Sequence, residues 1–174
     1  MSSHTLIAAG SLLIVAVFML AETWHSRRHE AALRRRGAVE PPGDVYRTMQ
    51  WAYPLAFVAM AAEGAIAGPA PGATTLAGAA TLVAAKALKL WAIASLGQRW
   101  TFRVLILPGA PLVTTGPYAF LRHPNYVAVA GELVGMALLV GAPVTGPLGT
   151  VLFGWLMWRR MRVEDRALRH SACT

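Results

Sequence analysis

The chain has 174 residues, of which 56% are hydrophobic and only 14% are charged, and its formal net charge is +8. Soluble domains carry about 25% charged residues, so this composition excludes an ordinary soluble protein and indicates one that crosses a membrane. The single cysteine excludes a disulfide framework.

Apolar runs of about 20 residues match the thickness of a bilayer core, and they recur along this chain. We therefore predict an all-α, polytopic integral membrane protein with about five transmembrane helices. The last two spans are short and form a C-terminal helical hairpin that turns at Gly141-Ala-Pro143, because proline interrupts helical hydrogen bonding. The first span lacks the basic start of a signal peptide, so we expect a mature helix. The expected spans are residues 4–23, 48–67, 74–95, 126–141 and 143–158.

The basic residues predict the orientation of these spans. Lysine and arginine lie in three segments, 27–47, 86–122 and 159–169. Under the positive-inside rule these segments face the cytoplasm, which puts the N-terminus outside and the C-terminus inside a bacterial inner membrane. Charge distributed in this way does not indicate a nucleic-acid partner. No segment is long enough for a second soluble domain, so residues 1–174 are expected to form a single domain.

The first basic segment, Trp24 to Arg36, continues the first helix, which should end at Gly37. One interpretation is an electrostatic anchor to anionic lipid headgroups, where each arginine contributes about 1 kcal/mol. The other is that the segment forms a wall of a ligand cavity.

Charged residues also lie inside the predicted spans. Glu63 is near the outer end of the second span and should simply reach water. Lys86 and Lys89 share one face of the third span, where snorkelling to the interface would explain them. Glu132 lies about 9 Å along the fourth helix from Tyr126, and an unpaired carboxylate at that depth is costly. This favours a functional role for Glu132, the alternative being a structural pair with Lys86 or Lys89.

The connector between the third and fourth spans contains Pro108, Gly109, Pro111 and Gly116-Pro117, which predict a non-helical path. Such a path can expose backbone N–H and C=O groups to a ligand.

The connector ends in Arg122-His-Pro-Asn-Tyr126. Pro124 suits the first turn of a helix, whose free N–H groups and positive dipole end favour an anion. Arg122 and His123 add donors at the same place. The segment is therefore a candidate anion-binding site, and the alternative is interfacial snorkelling of arginine and tyrosine.

The C-terminal segment after the last span is rich in charge. Arg160 and Glu164 are spaced i,i+4 and so share a helix face. They form either a buried pair at the mouth of the bundle or part of a solvated tail.

Several function classes lack their motifs. There is no Gly-x-Gly-x-x-Gly, no Gly-Lys-Ser/Thr phosphate loop and no His-Glu-x-x-His, which argues against dinucleotide oxidoreductases, ATPases and zinc proteases. No cysteine or second histidine lies at metal-ligand spacing from His123, so no metal site is expected.

Two segments together resemble the isoprenylcysteine carboxyl methyltransferase family. Leu112-Val-Thr-Thr-Gly-Pro-Tyr118, followed by Arg122-His-Pro-Asn-Tyr126, is similar to the signature of that family. Arg160-Met-Arg-Val-Glu164-Asp165 resembles its closing Arg-x-x-x-Glu-Glu motif, with aspartate in place of the second acid. The resemblance covers roughly residues 80–170.

The first half is similar to a bacterial subgroup of the family, through Arg27-Arg-His-Glu30, Leu90-Trp91 and Leu107-Pro-Gly109. That subgroup resembles O-methyltransferases acting on alkylpyrone and alkylresorcinol lipids, and Glu132 resembles one of its residues. The resemblance does not include the extended C-terminal region of the eukaryotic carboxyl methyltransferases.

The resemblance implies S-adenosylmethionine as methyl donor and S-adenosylhomocysteine as product, held by about residues 97–170. Arg160 would face the oxyanion of the acceptor. Glu132 would be a base for a phenolic or enolic hydroxyl. The implied donor-binding residues are Arg103, Ala110, Pro111, Leu112, Val113, Tyr118, His123, Pro124, Asn125, Tyr126 and Glu164.

The sequence thus predicts a membrane O-methyltransferase with a lipid-like acceptor, preferably a long-chain phenol or pyrone. Two alternatives stay open. One is carboxyl methylation of a prenylated cysteine, and the other is a non-catalytic membrane protein with a basic cytoplasmic rim.

Overall fold

The structure is a computed structural model that describes residues 3–68 and 70–171. The described residues form helices and irregular connections, with one isolated antiparallel bridge between Val39 and Ile106. The all-α class predicted from the apolar runs is confirmed. The helices are α1 (Ser3–Arg35), α2 (Tyr46–Ala67), α3 (Gly72–Leu96), α4 (Pro124–Val140) and α5 (Thr145–Ser171), and two short 3-10 turns lie at Gly97–Arg99 and Gly116–Ala119.

Each predicted span corresponds to one helix, although residue 141 lies just past α4 and residues 143–144 lie just before α5. Two helices run well beyond their spans. α1 continues through the first basic segment, as predicted, and α5 continues through the charged residues that follow its apolar part. The predicted hairpin turn is also present. Gly141 ends α4 with a φ of +71°, a conformation that glycine adopts without steric cost, and its N–H bonds the Ala137 carbonyl.

The outer surface of the bundle is apolar. Residues 4–35 in α1 and 72–99 around α3 are long and apolar enough to cross a bilayer, and α4 is apolar but shorter. α2 and α5 expose large side chains too, including Ile66 (87% exposed) and Val151 (70% exposed). An apolar belt of this size on a water-soluble protein would promote association, whereas lipid covers it in a membrane.

α3 and α4 pack closely because small residues face each other. A Cβ added to Gly78 would lie 2.7 Å from the Leu139 Cα and 2.8 Å from the Gly135 carbonyl oxygen. A Cβ on Gly131 would meet the Ala85 methyl group at 2.9 Å. Small residues that let two backbones approach are a recurrent means of helix association in membranes.

We expect Gly78→Ala to destabilise the bundle by about 1–3 kcal/mol, because the new methyl group meets backbone atoms that do not move aside easily. Gly154→Ala is the matched control, since a Cβ there meets nothing within 4 Å. The control should be neutral or about 0.5–1 kcal/mol more stable, as expected for Gly→Ala within a helix. Unfolding followed by circular dichroism in detergent measures both variants, and equal stability would contradict the close packing.

Glu63 stabilises the hairpin from outside. Its carboxylate accepts hydrogen bonds from the Val144 N–H (2.9 Å), the Thr145 N–H (2.7 Å) and the Thr145 hydroxyl (2.5 Å). These groups lie at the start of α5, where N–H groups lack helical partners. The expectation that Glu63 merely reaches water was incomplete, because this side chain on α2 caps α5.

At the opposite end of the bundle, which we call the polar end, the two long connections meet. Val39 and Ile106 exchange backbone N–H···O bonds of 2.9 Å each. The Ser26 hydroxyl accepts the Phe102 N–H at 2.7 Å, and the Trp100 carbonyl lies 2.9 Å from His29 Nδ1. The connector after α3 is therefore fastened to α1 and to the segment that follows it.

Candidate functional site

α4 starts at the polar end. Pro124 is its first residue and is buried, in agreement with the expectation that proline begins this helix. His123 precedes it, and no side chain caps the first turn. The first N–H groups of α4 therefore lack a side-chain acceptor of the usual capping kind.

Beside this helix start lies a group of aromatic and acidic side chains, which we call the Glu164 cluster: Tyr118, His123, Tyr126, Glu164 and Asp165. The Tyr126 hydroxyl donates to the Glu164 carboxylate at 3.2 Å. His123 Nδ1 lies 3.9 Å from Glu164, and its Nε2 lies 3.3 Å from Asp165. Burial, followed by the charge of Glu164, raises the pKa of Tyr118. Residues of the connector, of the start of α4 and of α5, which are far apart in the sequence, therefore meet at this cluster.

This cluster is suited to a cation with a small apolar part. Its two carboxylates attract positive charge, and the His123 and Tyr126 rings, with centroids 5.6 Å apart, add aromatic faces. Glu164 is 32% exposed and Asp165 is 30% exposed, so a ligand can reach both. Arg122 is only 3.8 Å from Asp165 but is 78% exposed, which makes it a surface pair.

Arg160 lies one helical turn before Glu164 and is buried, with 8% exposure. Its guanidinium donates to the Phe102 carbonyl and lies 3.7 Å from the Asp44 carboxylate. Its Nε has no hydrogen-bond partner among the described residues. Arg160 is therefore not part of a solvated tail. A buried guanidinium whose donors are not all used can bind an oxyanion.

The pairing of Arg160 differs from the expectation. The i,i+4 spacing suggested an Arg160–Glu164 pair, but Arg160 pairs with Asp44 while Glu164 binds Tyr126. Asp44 is itself held by the N–H groups of Tyr46 and Val104, each at 3.1 Å. Asp44 was missed in the sequence. Its position just before α2 is a local signal for a side chain that bonds the helix start.

The ion pairs of Arg103 are made outside the Glu164 cluster. It pairs with Glu40 at 2.7 Å and Glu30 at 3.5 Å, and its guanidinium lies 4.7 Å from the centre of the Tyr46 ring. Burial opposes ionisation of Glu40, but hydrogen bonds from Arg34 and Arg103 outweigh it and the pKa of Glu40 is lowered. The existing partners of Arg103 fix the connector to α1.

The predicted backbone lining, Ala110 to Val113, follows an irregular path. The Pro111 carbonyl accepts a hydrogen bond from Arg99, and Leu112 is 67% exposed. No hydrogen bond or ion pair within the described residues joins this stretch to the Glu164 cluster. Asn125 accepts a long bond of 3.5 Å from the Trp100 indole N–H.

Gly116 lets the connector return towards α4. Its φ is +63°, and a Cβ there would lie 3.0 Å from Ser95 Cβ and 3.2 Å from the indole nitrogen of Trp91. The connector therefore crosses the end of α3 in close contact. This places Tyr118, two residues later, at the polar end.

Glu132 lies in a second, deeper cluster, which we call the charge cluster: Glu22, Lys86, Lys89 and Glu132. Glu132 is 1% exposed, and Lys86 and Lys89 lie 2.7 and 3.2 Å from its two oxygens. The same lysines lie 3.0 and 2.7 Å from Glu22. The Tyr53 hydroxyl also donates to Glu132. The carboxylate is therefore paired, as the structural alternative expected, and four helices contribute side chains.

Snorkelling does not account for Lys89. Its side chain is 2% exposed, whereas that of Lys86 is 15% exposed. Charges buried together in this way are compensated within the protein. Glu22 and Tyr53 were missed in the sequence, because only the packing of α1 and α2 brings them to the lysines.

No group of three or more His, Cys, Asp or Glu side chains suited to a metal ion occurs within residues 3–68 and 70–171. His123 instead faces two carboxylates and the Tyr126 ring.

Comparison with known proteins agrees with the family resemblance of the sequence motifs. The sequence profile of the isoprenylcysteine carboxyl methyltransferase (ICMT) family matches residues 78–170. The chain is 32% identical to the uncharacterized protein YpbQ of Bacillus subtilis (strain 168), covering 90% of this chain and 95% of that protein. It is 27% identical to an uncharacterized protein of Haemophilus influenzae, covering 83% and 85% respectively. No solved structure matches the chain significantly.

Proposed function

Because this chain belongs to the isoprenylcysteine carboxyl methyltransferase family, whose members are membrane methyltransferases, we propose that it moves a methyl group from S-adenosylmethionine to an oxygen of a lipid-like acceptor. One observation carries the proposal. Glu164, in a cluster suited to a cation, and Arg160, suited to an oxyanion, lie on one face of α5, one turn apart.

The residues present fit the donor. When bound, S-adenosylmethionine supplies an electrophilic methyl group on a positively charged sulfonium. Glu164 would accept hydrogen bonds from the amino group of the donor. The His123 and Tyr126 rings would lie against the positively charged sulfonium of the donor. Pro124 has no N–H, and the N–H groups of Tyr126 and Val127 already bond a backbone carbonyl. The Asn125 N–H at the start of α4 would therefore receive the carboxylate of the donor.

The adenosine would be held by the connector. Ala110, Pro111, Leu112 and Val113 would contribute backbone groups to it, and Tyr118 would close the pocket beside Glu164. Arg103 would act through its fixation of the connector to Glu40 and Glu30, in place of a direct contact. Residues 1–174 would then be a single methyltransferase domain, with the donor-binding part within about 97–170.

Arg160 would bind the acceptor oxygen. Transfer of a methyl group from a sulfonium to an oxygen anion cancels opposite charges, so a site that excludes water and aligns the two favours the reaction. The guanidinium of Arg160 would stabilise the acceptor anion, and Asp44, 3.7 Å from its Nε, would fix its orientation. The apolar tail of the acceptor would lie among the helices.

We propose a long-chain phenol or pyrone as acceptor, with carboxyl methylation of a prenylated cysteine as the alternative. A phenolic hydroxyl must lose a proton before or during transfer, whereas a carboxylate is already ionised. Glu132 is the candidate base, with the Tyr53 hydroxyl as its nearest proton-bearing neighbour outside the lysines. The pairing of Glu132 with Lys86 and Lys89 supports a structural role instead, and the two roles make different predictions.

We expect the purified protein to methylate an alkylresorcinol faster than a farnesylated cysteine, both assayed with radiolabelled S-adenosylmethionine in detergent. Glu132→Gln should then lower turnover with the phenol by about 10²–10⁴-fold, the usual contribution of a general base. Tyr53→Phe keeps the aromatic ring and tests whether the hydroxyl that donates to Glu132 contributes to turnover. Methylation of the prenylcysteine alone, unchanged in Glu132→Gln, would reject both the acceptor and the base.

The basic segments support an orientation in which the polar end faces the cytoplasm of a bacterium. The donor S-adenosylmethionine would then reach the polar end from the cytoplasm. In that orientation the N-terminus lies outside the inner membrane. The third possibility, a non-catalytic protein with a basic rim, predicts no binding of the donor.

A further inference from the structure

A cavity of about 270 Å³ lies outside both clusters described above. It opens between the polar extension of α1 and the 3-10 turn Gly97–Arg99 that follows α3. Its lining residues are His25, Arg28, His29, Ala32 and Gln98.

The cavity lies at the depth of lipid headgroups. The apolar part of α1 runs from residue 4 to residue 23, and 20 helical residues span about 30 Å, the thickness of a bilayer core. His25 lies two residues beyond its end. Trp24, an aromatic residue of the kind that marks membrane interfaces, is 59% exposed, and the Arg28 guanidinium lies 4.5 Å from its ring centre.

The cavity also continues a lipid-facing stripe of α1. The stripe consists of four residues that are spaced by four and so share one helix face: Leu20, Trp24, Arg28 and Ala32. Leu20 is 71% exposed. A lipid whose acyl chain lies along Leu20 and Trp24 would carry its headgroup to Arg28 and Ala32.

The chemistry of the lining favours an anion. None of the lining residues is acidic, and no ion pair within the described residues involves Arg28. The nearest acid on the same helix, Glu30, accepts from the Ser26 hydroxyl at 2.8 Å and lies 3.5 Å from Arg103. His29 donates its Nδ1 proton to the Trp100 carbonyl, which fixes the ring. Arg28 and the Gln98 amide supply donors that match phosphate oxygens.

We propose that this cavity binds the phosphate of an anionic phospholipid headgroup. The site would hold one lipid specifically, in addition to the diffuse attraction that the basic segment exerts on an anionic membrane surface. Because His29 holds the Trp100 carbonyl and Ser26 holds the Phe102 N–H, the lipid would also stabilise the junction between α1 and the connector. This inference does not depend on methyl transfer.

The test is thermal unfolding of the full chain in a neutral detergent with three additives: phosphatidylglycerol, phosphatidylcholine and inorganic phosphate. Saturating phosphatidylglycerol should raise Tm by about 5–10 °C, the shift that a ligand at 100 times its Kd gives a protein of this size. Phosphatidylcholine carries the same phosphate but adds a quaternary ammonium, which Arg28 repels and no acid in the lining attracts, so it should give a much smaller shift. Equal shifts from the two lipids, or a full shift from inorganic phosphate alone, would overturn the proposal.

Three variants separate the cavity from the general charge of the segment. Arg28→Ala should abolish the shift from phosphatidylglycerol, whereas Arg36→Ala, which removes the same charge from an exposed position outside the cavity, should retain it. Ala32→Leu fills the cavity without changing charge and should abolish the shift as well. If Arg28→Ala does not fold, the Ala32→Leu variant tests the cavity in its place. Native mass spectrometry then shows whether the native protein retains one phosphatidylglycerol that Ala32→Leu loses. A full shift in Ala32→Leu would reject the cavity.

Discussion

Glu164→Ala is expected to weaken binding of S-adenosylmethionine by about 10- to 100-fold, the effect of removing one hydrogen bond to a charged group. Glu164 accepts from Tyr126, so its loss also leaves the Tyr126 hydroxyl without its acidic partner, while His123 keeps Asp165 at 3.3 Å. Titration calorimetry in detergent measures the change. Glu164→Gln retains an acceptor for Tyr126 and should lie between the native protein and the alanine variant.

Arg160→Ala is expected to leave donor affinity within a few fold of native and to lower turnover by about 10²–10³-fold, as when an oxyanion donor is removed. Arg162→Ala is the matched control, because it removes the same charge from an exposed position on the same helix. Its cation lies 4.1 Å from the Trp158 ring, away from the Glu164 cluster. If Glu164→Ala kept near-native donor affinity and Arg160→Ala kept near-native activity, the proposal would be wrong. The C-terminal segment would then only set the orientation of the chain in the membrane.

Lys89→Met is expected to destabilise the bundle by about 3–5 kcal/mol, because it leaves buried carboxylates without one of their two cations. Glu22 and Glu132, at 2.7 and 3.2 Å, both depend on this lysine. Lys86→Met should cost less, since the Lys86 side chain is 15% exposed and that of Lys89 is 2% exposed.

The double variant Lys89→Met with Glu22→Gln keeps the charge cluster neutral and should recover part of the lost stability. Unfolding in detergent followed by circular dichroism compares these three variants with Glu22→Gln alone, which completes the cycle. Additive losses in the double variant, or a Lys89→Met protein as stable as native, would show that the cluster does not hold the helices together.

The helices could be predicted from the sequence because their signals are local. Apolar runs marked the spans, Pro124 marked the start of α4, and Gly141 with Pro143 marked the hairpin turn. α5 ran past its apolar part because charged residues such as Arg160 and Glu164 are also good helix formers.

The site could be predicted only in part, for a physical reason. His123, Tyr126 and Glu164 were found through a resemblance between short segments, and the structure brings these side chains together. Asp44 and Phe102, which contact Arg160, were not found because they belong to connections whose mutual packing has no local signal.

The same limit applied to Glu132. Its partners Lys86 and Lys89 lie on the facing helix α3, so the sequence alone could not decide whether the carboxylate is paired. An acid at the end of a span, such as Glu22, is typical of one that reaches water. Its burial to 6% exposure follows from the packing of α1 against the lysines of α3.

The most direct measurement is titration calorimetry of the native, folded protein in detergent with S-adenosylmethionine and, separately, S-adenosylhomocysteine. The proposed donor site predicts saturable heat from both ligands, with one site per chain, and a matching loss of affinity in Glu164→Ala. No heat from either ligand at about millimolar concentration, with folded protein verified by circular dichroism, would contradict a methyl-donor enzyme.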